Sequence, residues 1–179
     1  MAKYVALLRG INLGKRQIKM AELKKVFETQ GYQDVRTLLA SGNVIFTAKE
    51  TKATKLRSKI GVAIKKQFGF GVPVILRSEK EVQALIKSDP FKGVKAAPQT
   101  RFYITFLSEL PRSKLKTPYN SMGGEYLMLA ITKGHVVSVL GPKVKSPDVM
   151  DFLGEEFGSN ITTRNWNTVK KIHAAMQDL

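Results

Sequence analysis

The sequence predicts an α+β protein: two β-α-β-β-α-β units in tandem, packed together, with an added helix at the C-terminus. Three observations predict it. Short runs such as YVALL and NVIF are apolar on both parities, as in strands covered on both faces. Between them lie segments whose apolar residues recur at helical spacing and end at glycine. The order of these elements through residue 78 is then met again, in element order but not residue by residue, over residues 91–165.

Taken in order, KYVALLRG is the first strand. Met20, Leu23, Val26 and Phe27 share one face of a helix that Gly31 stops. VRTLLASGNVIFTA reads as strands Val35–Leu39 and Asn43–Thr47 about an Ala-Ser-Gly turn. ETKATKLRSKIGVAIKKQFGF is a second helix, with Ala53, Leu56, Ile60, Ile64 and Phe68 toward the core. VPVILRS is a strand whose Pro73 suits a sheet edge or a strand start. This is the split βαβ, ferredoxin-like or alpha-beta plait arrangement, residues 1–78. One such sheet has helices on one side only, so its other apolar face calls for a cover.

Residues 79–100 form a bridge. Ser78 with Glu81 three residues on is a capping-box signature for a helix that ends before Pro90, and KGVKAAPQT is a linker. The second unit, with the closing helix, spans 101–179. RFYITFLS is its first strand; PRSKLKTPYNS is a short helix or turn between Pro111 and Pro118. Tyr126–Ile131 and Val136–Leu140 make a hairpin about Lys133-Gly134. Ser146 as N-cap, Pro147 at the first turn and Gly158 as stop define a further helix. A brief strand at ITTRN leads into the C-terminal helix, with Trp166, Val169, Ile172, His173 and Met176 on one face.

Composition narrows the function. The chain has 179 residues, 43% of them apolar, and no run long enough to span a membrane, so no membrane partner is expected. It has no cysteine, which excludes a disulfide framework, a zinc ribbon and a cysteine nucleophile. The start of the chain lacks a secretory apolar region, and a cytosolic, bacterial-type protein is the simplest reading. The net charge is +16, and it is uneven: residues 1–90 carry 18 basic and 7 acidic side chains, residues 91–179 carry 12 and 7. Such a field attracts nucleic acid or another polyanion, although a high charge also serves solubility.

YVALLRGINLG, LLASGNVIF and TTRNWNTVKKI together resemble the bacterial proteins grouped as DUF1697, a domain of unknown function. The resemblance extends over most of the chain. It implies two ferredoxin-like subdomains and no particular reaction. The sequence departs from the family pattern at Lys15, where a second glycine is usual, and at Leu38 and Ala40, where Tyr and Gln are common.

Two sets of candidate residues emerge. Arg9 closes an apolar strand, its fork suits a carboxylate or phosphate, and the following Gly10–Gly14 loop offers backbone N–H groups near a helix start. Structurally, Arg9 pairs internally and the glycines make a turn. Functionally, Arg9, Asn12, Asn43, Arg164 and Asn167 bind an anionic or polar ligand in a cleft between the two subdomains, as an enzyme acting on a small anionic substrate would. The loop after the first strand and the turn at Ser41 are expected at opposite ends of the sheet, which weighs against a site within the first unit alone. The second set is Lys52, Lys55, Lys59, Lys65 and Lys66, a helix surface that would track phosphates by charge alone. The third possibility is a structural or interaction module. Trp166 would anchor the last helix, with Asn165 or Asn167 as its cap. Ser41 with His135 or His173 makes a poor nucleophile and base, and Glu155-Glu156 point apart, so no cofactor and no metal is expected. Tyr103 is the nearest approach to an RNA-stacking aromatic.

Overall fold

A computed structural model describes residues 1–49 and 52–179. Among these residues it is a mixed α/β chain with two antiparallel sheets and five α-helices. It divides into two compact units, Met1–Lys87 with Lys170–Leu179, and Ser88–Val169. No helix among the described residues is long and apolar enough to cross a membrane.

The first unit runs β1 (Ala2–Leu8), α1 (Met20–Thr29), β2 (Gln33–Leu38), β3 (Asn43–Ala48), α2 (Ala53–Phe68), β4 (Val74–Ser78) and α3 (Glu79–Lys87). Its sheet order is β2-β3-β1-β4, antiparallel throughout. The alternation in β1 sets what lies on each face. Tyr4, Ala6 and Leu8 join Leu23 and Phe27 of α1 and Leu56, Ile60 and Ile64 of α2 in one core. Val5, Leu7, Ile45 and Ile75, on the opposite parity, are buried as well, so neither face of this sheet is bare. Phe46 stands at the centre of an aromatic cluster, 5.2 Å from Phe27 and 4.8 Å from Tyr32 between ring centroids.

The capping signal before α3 acts as the sequence predicts. Ser78 and Glu81 form a reciprocal capping box: Ser78 N–H donates to Glu81 Oε2 at 2.8 Å, and Glu81 N–H donates to Ser78 Oγ at 3.3 Å. Gly69 ends α2 in the left-handed conformation, its N–H bonded to the Lys65 carbonyl. The expected helix reaches back to Glu50; residues 50 and 51 lie outside the described residues, and the helix begins at Ala53. Ala53 is exposed rather than in the core. The end of the chain belongs to this unit. Lys3 Nζ donates to the Met176 carbonyl at 2.9 Å, placing a cation at a helix C-terminus, and also pairs with Glu79.

The second unit runs β5 (Arg101–Leu107), β6 (Tyr119–Ser121), a single 3-10 turn (Met122–Gly124), β7 (Tyr126–Ile131), β8 (His135–Leu140), α4 (Ser146–Phe157) and β9 (Ile161–Asn165), and enters α5 (Trp166–Gln177). Its sheet order is β6-β7-β8-β5-β9. The helix or turn expected at PRSKLKTPYNS is no helix: residues 109–118 carry no regular structure and lead into the short edge strand β6. Two prolines without N–H groups and a Ser113 hydroxyl that takes the Leu115 N–H, at 3.1 Å, compete with helix formation there. Lys145, not Ser146, holds the N-cap position of α4, because Ser146 Oγ accepts from the Arg101 guanidinium at 3.2 Å. Gly158 ends the helix as expected. Asn165 caps α5, its Oδ1 accepting the Asn167 N–H at 2.8 Å. Trp166 stands edge-on to Phe91, which packs on Phe102.

Two substitutions test this packing. Gly42, at φ +75°, has a position for a Cβ only 2.6 Å from Ile11 Cδ1 and 2.9 Å from Leu8 Cβ, whereas Gly10, at φ +65°, faces open space. Gly42→Ala is expected to cost about 2–4 kcal/mol in chemical denaturation, from left-handed strain plus overpacking, and Gly10→Ala only about 1 kcal/mol. Equal costs would show that close approach does not matter at Gly42. Tyr126 is fully buried with its hydroxyl 2.8 Å from Ser138 Oγ, and burial pushes it up to about 12. The folded tyrosine therefore keeps its proton while the unfolded one, near 10, loses it, so stability falls as pH rises from 10 to 12. The loss is expected to reach about 2–3 kcal/mol and to be absent from Tyr126→Phe measured in parallel.

Candidate functional site

The loop after β1 and the β2–β3 turn lie at the same end of the sheet, not at opposite ends. The β1–β3 register pairs Leu7 with Asn43, so the end of β1 stands beside the start of β3. Asn12 then reaches across. Its Nδ2 donates to the Ala40 carbonyl at 2.7 Å, and its Oδ1 accepts the Ile18 N–H at 2.8 Å. Asn12 has φ +57°, a conformation asparagine tolerates well. Asn43 is fully buried and donates through Nδ2 to the Leu38 carbonyl at 2.8 Å and to Ser41 Oγ at 3.0 Å. Both amides thus hold loops in place. Arg9 is half-buried, and its backbone N–H donates to the Pro73 carbonyl at 3.0 Å.

Arg164 and Asn167 belong to the second unit. Arg164 is 7% exposed, on β9, and its Nη1 donates to Thr162 Oγ1 at 2.8 Å and to the Thr163 carbonyl at 2.9 Å. Burial holds its guanidinium down to about 10. Asn167 is exposed in the first turn of α5. Tyr103 is half-buried and packs against the core shared with α4, so it is no open stacking platform. His173, half-buried on α5, has no hydrogen-bond partner at Nε2 among the described residues. No group of three metal-ligating side chains gathers among the described residues.

The basic helix is the more open surface. Lys52, Lys55, Lys59, Lys65 and Lys66 are all exposed. Lys52, Lys55, Lys59 and Lys66, with the exposed Val62, follow a 3-4-3-4 spacing and form one stripe along α2. Lys65 falls about a quarter-turn round the helix from it. Lys3 pairs with Glu79 and Lys24 with Glu28, and neither pair involves α2.

At the first two turns of α2 the stripe borders a cavity of about 370 Å³ within the first unit. Lys49, Lys55 and Lys59 line it with Gln30, Tyr32 and Gln33. Lys59 Nζ donates to the Gln30 carbonyl at 3.1 Å and sits 5.6 Å from the Tyr32 ring centre. Sequence reasoning found Lys55 and Lys59 by their charge. It missed Tyr32, which follows a helix-stopping glycine and gives no signal beyond an aromatic entering a strand. A second cavity, about 330 Å³, lies in the other unit between the end of β5 and the α4–β9 turn. Glu109 and Glu156 face it together with Arg112, a mixed set that favours neither sign of charge.

Among curated proteins none matches this chain. A solved structure, that of the conserved bacterial protein SP0830 from Streptococcus pneumoniae, superposes with a TM-score of 0.73 over 99% of both chains at 22% identity, a likeness of fold. The profile of DUF1697, described as a protein of unknown function, matches residues 1–134, three-quarters of the chain and both of the motifs around Arg9 and Asn43. This chain therefore belongs to the DUF1697 family.

Proposed function

We propose that this protein binds polyanions, foremost nucleic acid, through the lysine stripe of α2. The observation that carries the reading is the segregation of charge onto one unit. Residues 1–87 and 170–179 hold 20 basic and 7 acidic side chains, a balance of +13; residues 88–169 hold 10 and 7, a balance of +3. Within the basic unit the stripe runs from Lys52 to Lys66, which at helical rise is about 20 Å, the reach of about six nucleotides of one strand. Lysines at such spacing contact phosphates without reading bases, so the binding is expected to be insensitive to sequence. The order β2-β3-β1-β4 and the βαββαβ order of elements support reading the first unit as ferredoxin-like, with α1 and α2 on one face and α2 presenting its lysines away from the core.

Fluorescence anisotropy with a labelled duplex tests this. Binding at ~50 mM salt is expected, weakening steeply as salt rises, and the triple change Lys55→Gln, Lys59→Gln, Lys66→Gln is expected to reduce the logarithmic salt slope by about 2–3. Lys65→Gln, off the stripe, is expected to reduce it by less than 1. No retention at ~50 mM salt, or a slope that the triple change leaves unaltered, overturns the reading.

A further inference from the structure

We propose that the cavity between α1, β2 and the start of α2 is a subsite for a phosphate monoester carrying a flat organic body, of the class of a nucleoside monophosphate. The proposal rests on the same lysine flank as the polyanion surface and gives it a second, distinct ligand. Three features of the cavity argue for this chemistry.

The first is charge. Lys49, Lys55 and Lys59 line the cavity, and no acidic side chain does so among the described residues. Lys59 is already fixed on the Gln30 carbonyl at the end of α1, where it offsets the negative end of that helix. Lys49 and Lys55 have no ion pair among the described residues and are placed to meet a ligand. Two ammonium groups match the charge of about −1.5 to −2 on a phosphate monoester better than the single charge of a carboxylate.

The second is size and polarity. At about 370 Å³ the cavity exceeds what a bare ion needs and falls within the range of about 300–1,000 Å³ typical of small-molecule sites. Its lining includes the apolar Ala48 and Leu56 and the primary amides of Gln30 and Gln33. An apolar wall with amides beside it suits a flat heterocycle that offers both donors and acceptors along its edge.

The third is Tyr32. It lines the cavity, is 8% exposed, and its hydroxyl has no hydrogen-bond partner among the described residues. Burial pushes that hydroxyl up from its usual range, which keeps it a donor. A buried hydroxyl left unpaired is costly; this one is closed off from solvent, so a small outward shift of the ring must open it to a ligand oxygen, which would relieve the deficit.

The test is titration of the full chain with adenosine 5′-monophosphate, adenosine and inorganic phosphate, followed by calorimetry and by amide chemical shifts. The monophosphate is expected to bind at least about tenfold more tightly than either fragment, with shifts centred on Tyr32, Gln33, Lys49 and Lys55. Lys49→Gln is expected to weaken it about fivefold or more, as the loss of one charge-assisted contact. Tyr32→Phe is expected to leave the melting temperature of the unliganded protein unchanged or raised and yet to weaken the monophosphate about fivefold, a pairing that a purely structural role would not produce. Gln33→Trp, on an exposed strand position, keeps every charge and fills the cavity; it is expected to abolish monophosphate binding while changing the affinity for an oligonucleotide with hydroxyls at both ends by less than twofold. Monophosphate binding no tighter than inorganic phosphate, or unchanged in both Lys49→Gln and Tyr32→Phe, overturns the subsite. Loss of the subsite with oligonucleotide binding intact leaves the α2 surface standing, and the reverse result removes the surface and keeps the subsite.

Discussion

The first unit depends on β1 being a central strand with no solvent face. It lies between β3 and β4, and Tyr4, Ala6 and Leu8 on one side and Val5 and Leu7 on the other are all at most 7% exposed. A strand buried this way cannot be followed by a loop that wanders, because the backbone groups just past its end would be stripped of water with nothing to bond. The chain solves this at once. Arg9 N–H bonds to the Pro73 carbonyl, Leu8 N–H to the Gly42 carbonyl, and Asn12 closes the loop onto Ala40. Gly42 is the one residue small enough to let Ile11 and Leu8 come this close.

This constraint gives the most conspicuous motifs of the sequence hydrogen bonds that tie the two loops together. The Gly-x-Asn-x-Gly loop and the Ser-Gly-Asn turn look like separate candidates for ligand binding when read along the chain. In three dimensions they are two halves of one closure, and the polar atoms of Asn12 and Asn43 go to backbone groups on either side of it. A buried amide that satisfies several loop carbonyls and N–H groups is worth keeping for stability alone, since each unsatisfied group would cost about 1–3 kcal/mol.

Much of the fold was legible because its signals are local. The capping box at Ser78 and Glu81, the glycine stops at Gly31 and Gly158, and the hairpin at Lys133-Gly134 each need only a few neighbouring residues to act, and each stands where the sequence predicts. What was not legible depends on register or on competition. The adjacency of Asn12 and Ala40 follows from the antiparallel pairing of β1 with β3, which no single segment encodes. The short helix or turn expected between Pro111 and Pro118 gave way to an irregular path and an added edge strand. Ser146 lost the capping position to an arginine 45 residues away in sequence. Of the candidate site, Lys55 and Lys59 could be found by charge, but the cavity beside them arises from where α1 ends relative to α2, and Tyr32 reads as one more core aromatic until its hydroxyl is seen without a partner.

The lysine stripe is also a cost to the helix that carries it. Like charges at i, i+3 and i, i+4 destabilise an isolated helix by about 0.2–0.5 kcal/mol per pair, and among the described residues α2 has no acidic side chain in its first turn to complement the dipole. Two lysines near its C-terminus, Lys65 and Lys66, recover a part of that. What holds α2 is the burial of Leu56, Ile60 and Ile64, each at most 4% exposed and each contributing about 1.5–3 kcal/mol. The helix is thus stabilised on its inner face and self-repelling on its outer one. An anion at the outer face removes repulsion without touching the core, so binding there stabilises the fold as well as neutralising charge. A surface needed only for solubility would gain as much from charges of mixed sign, which α2 does not use: Ala53–Phe68 contains five basic residues and no aspartate or glutamate.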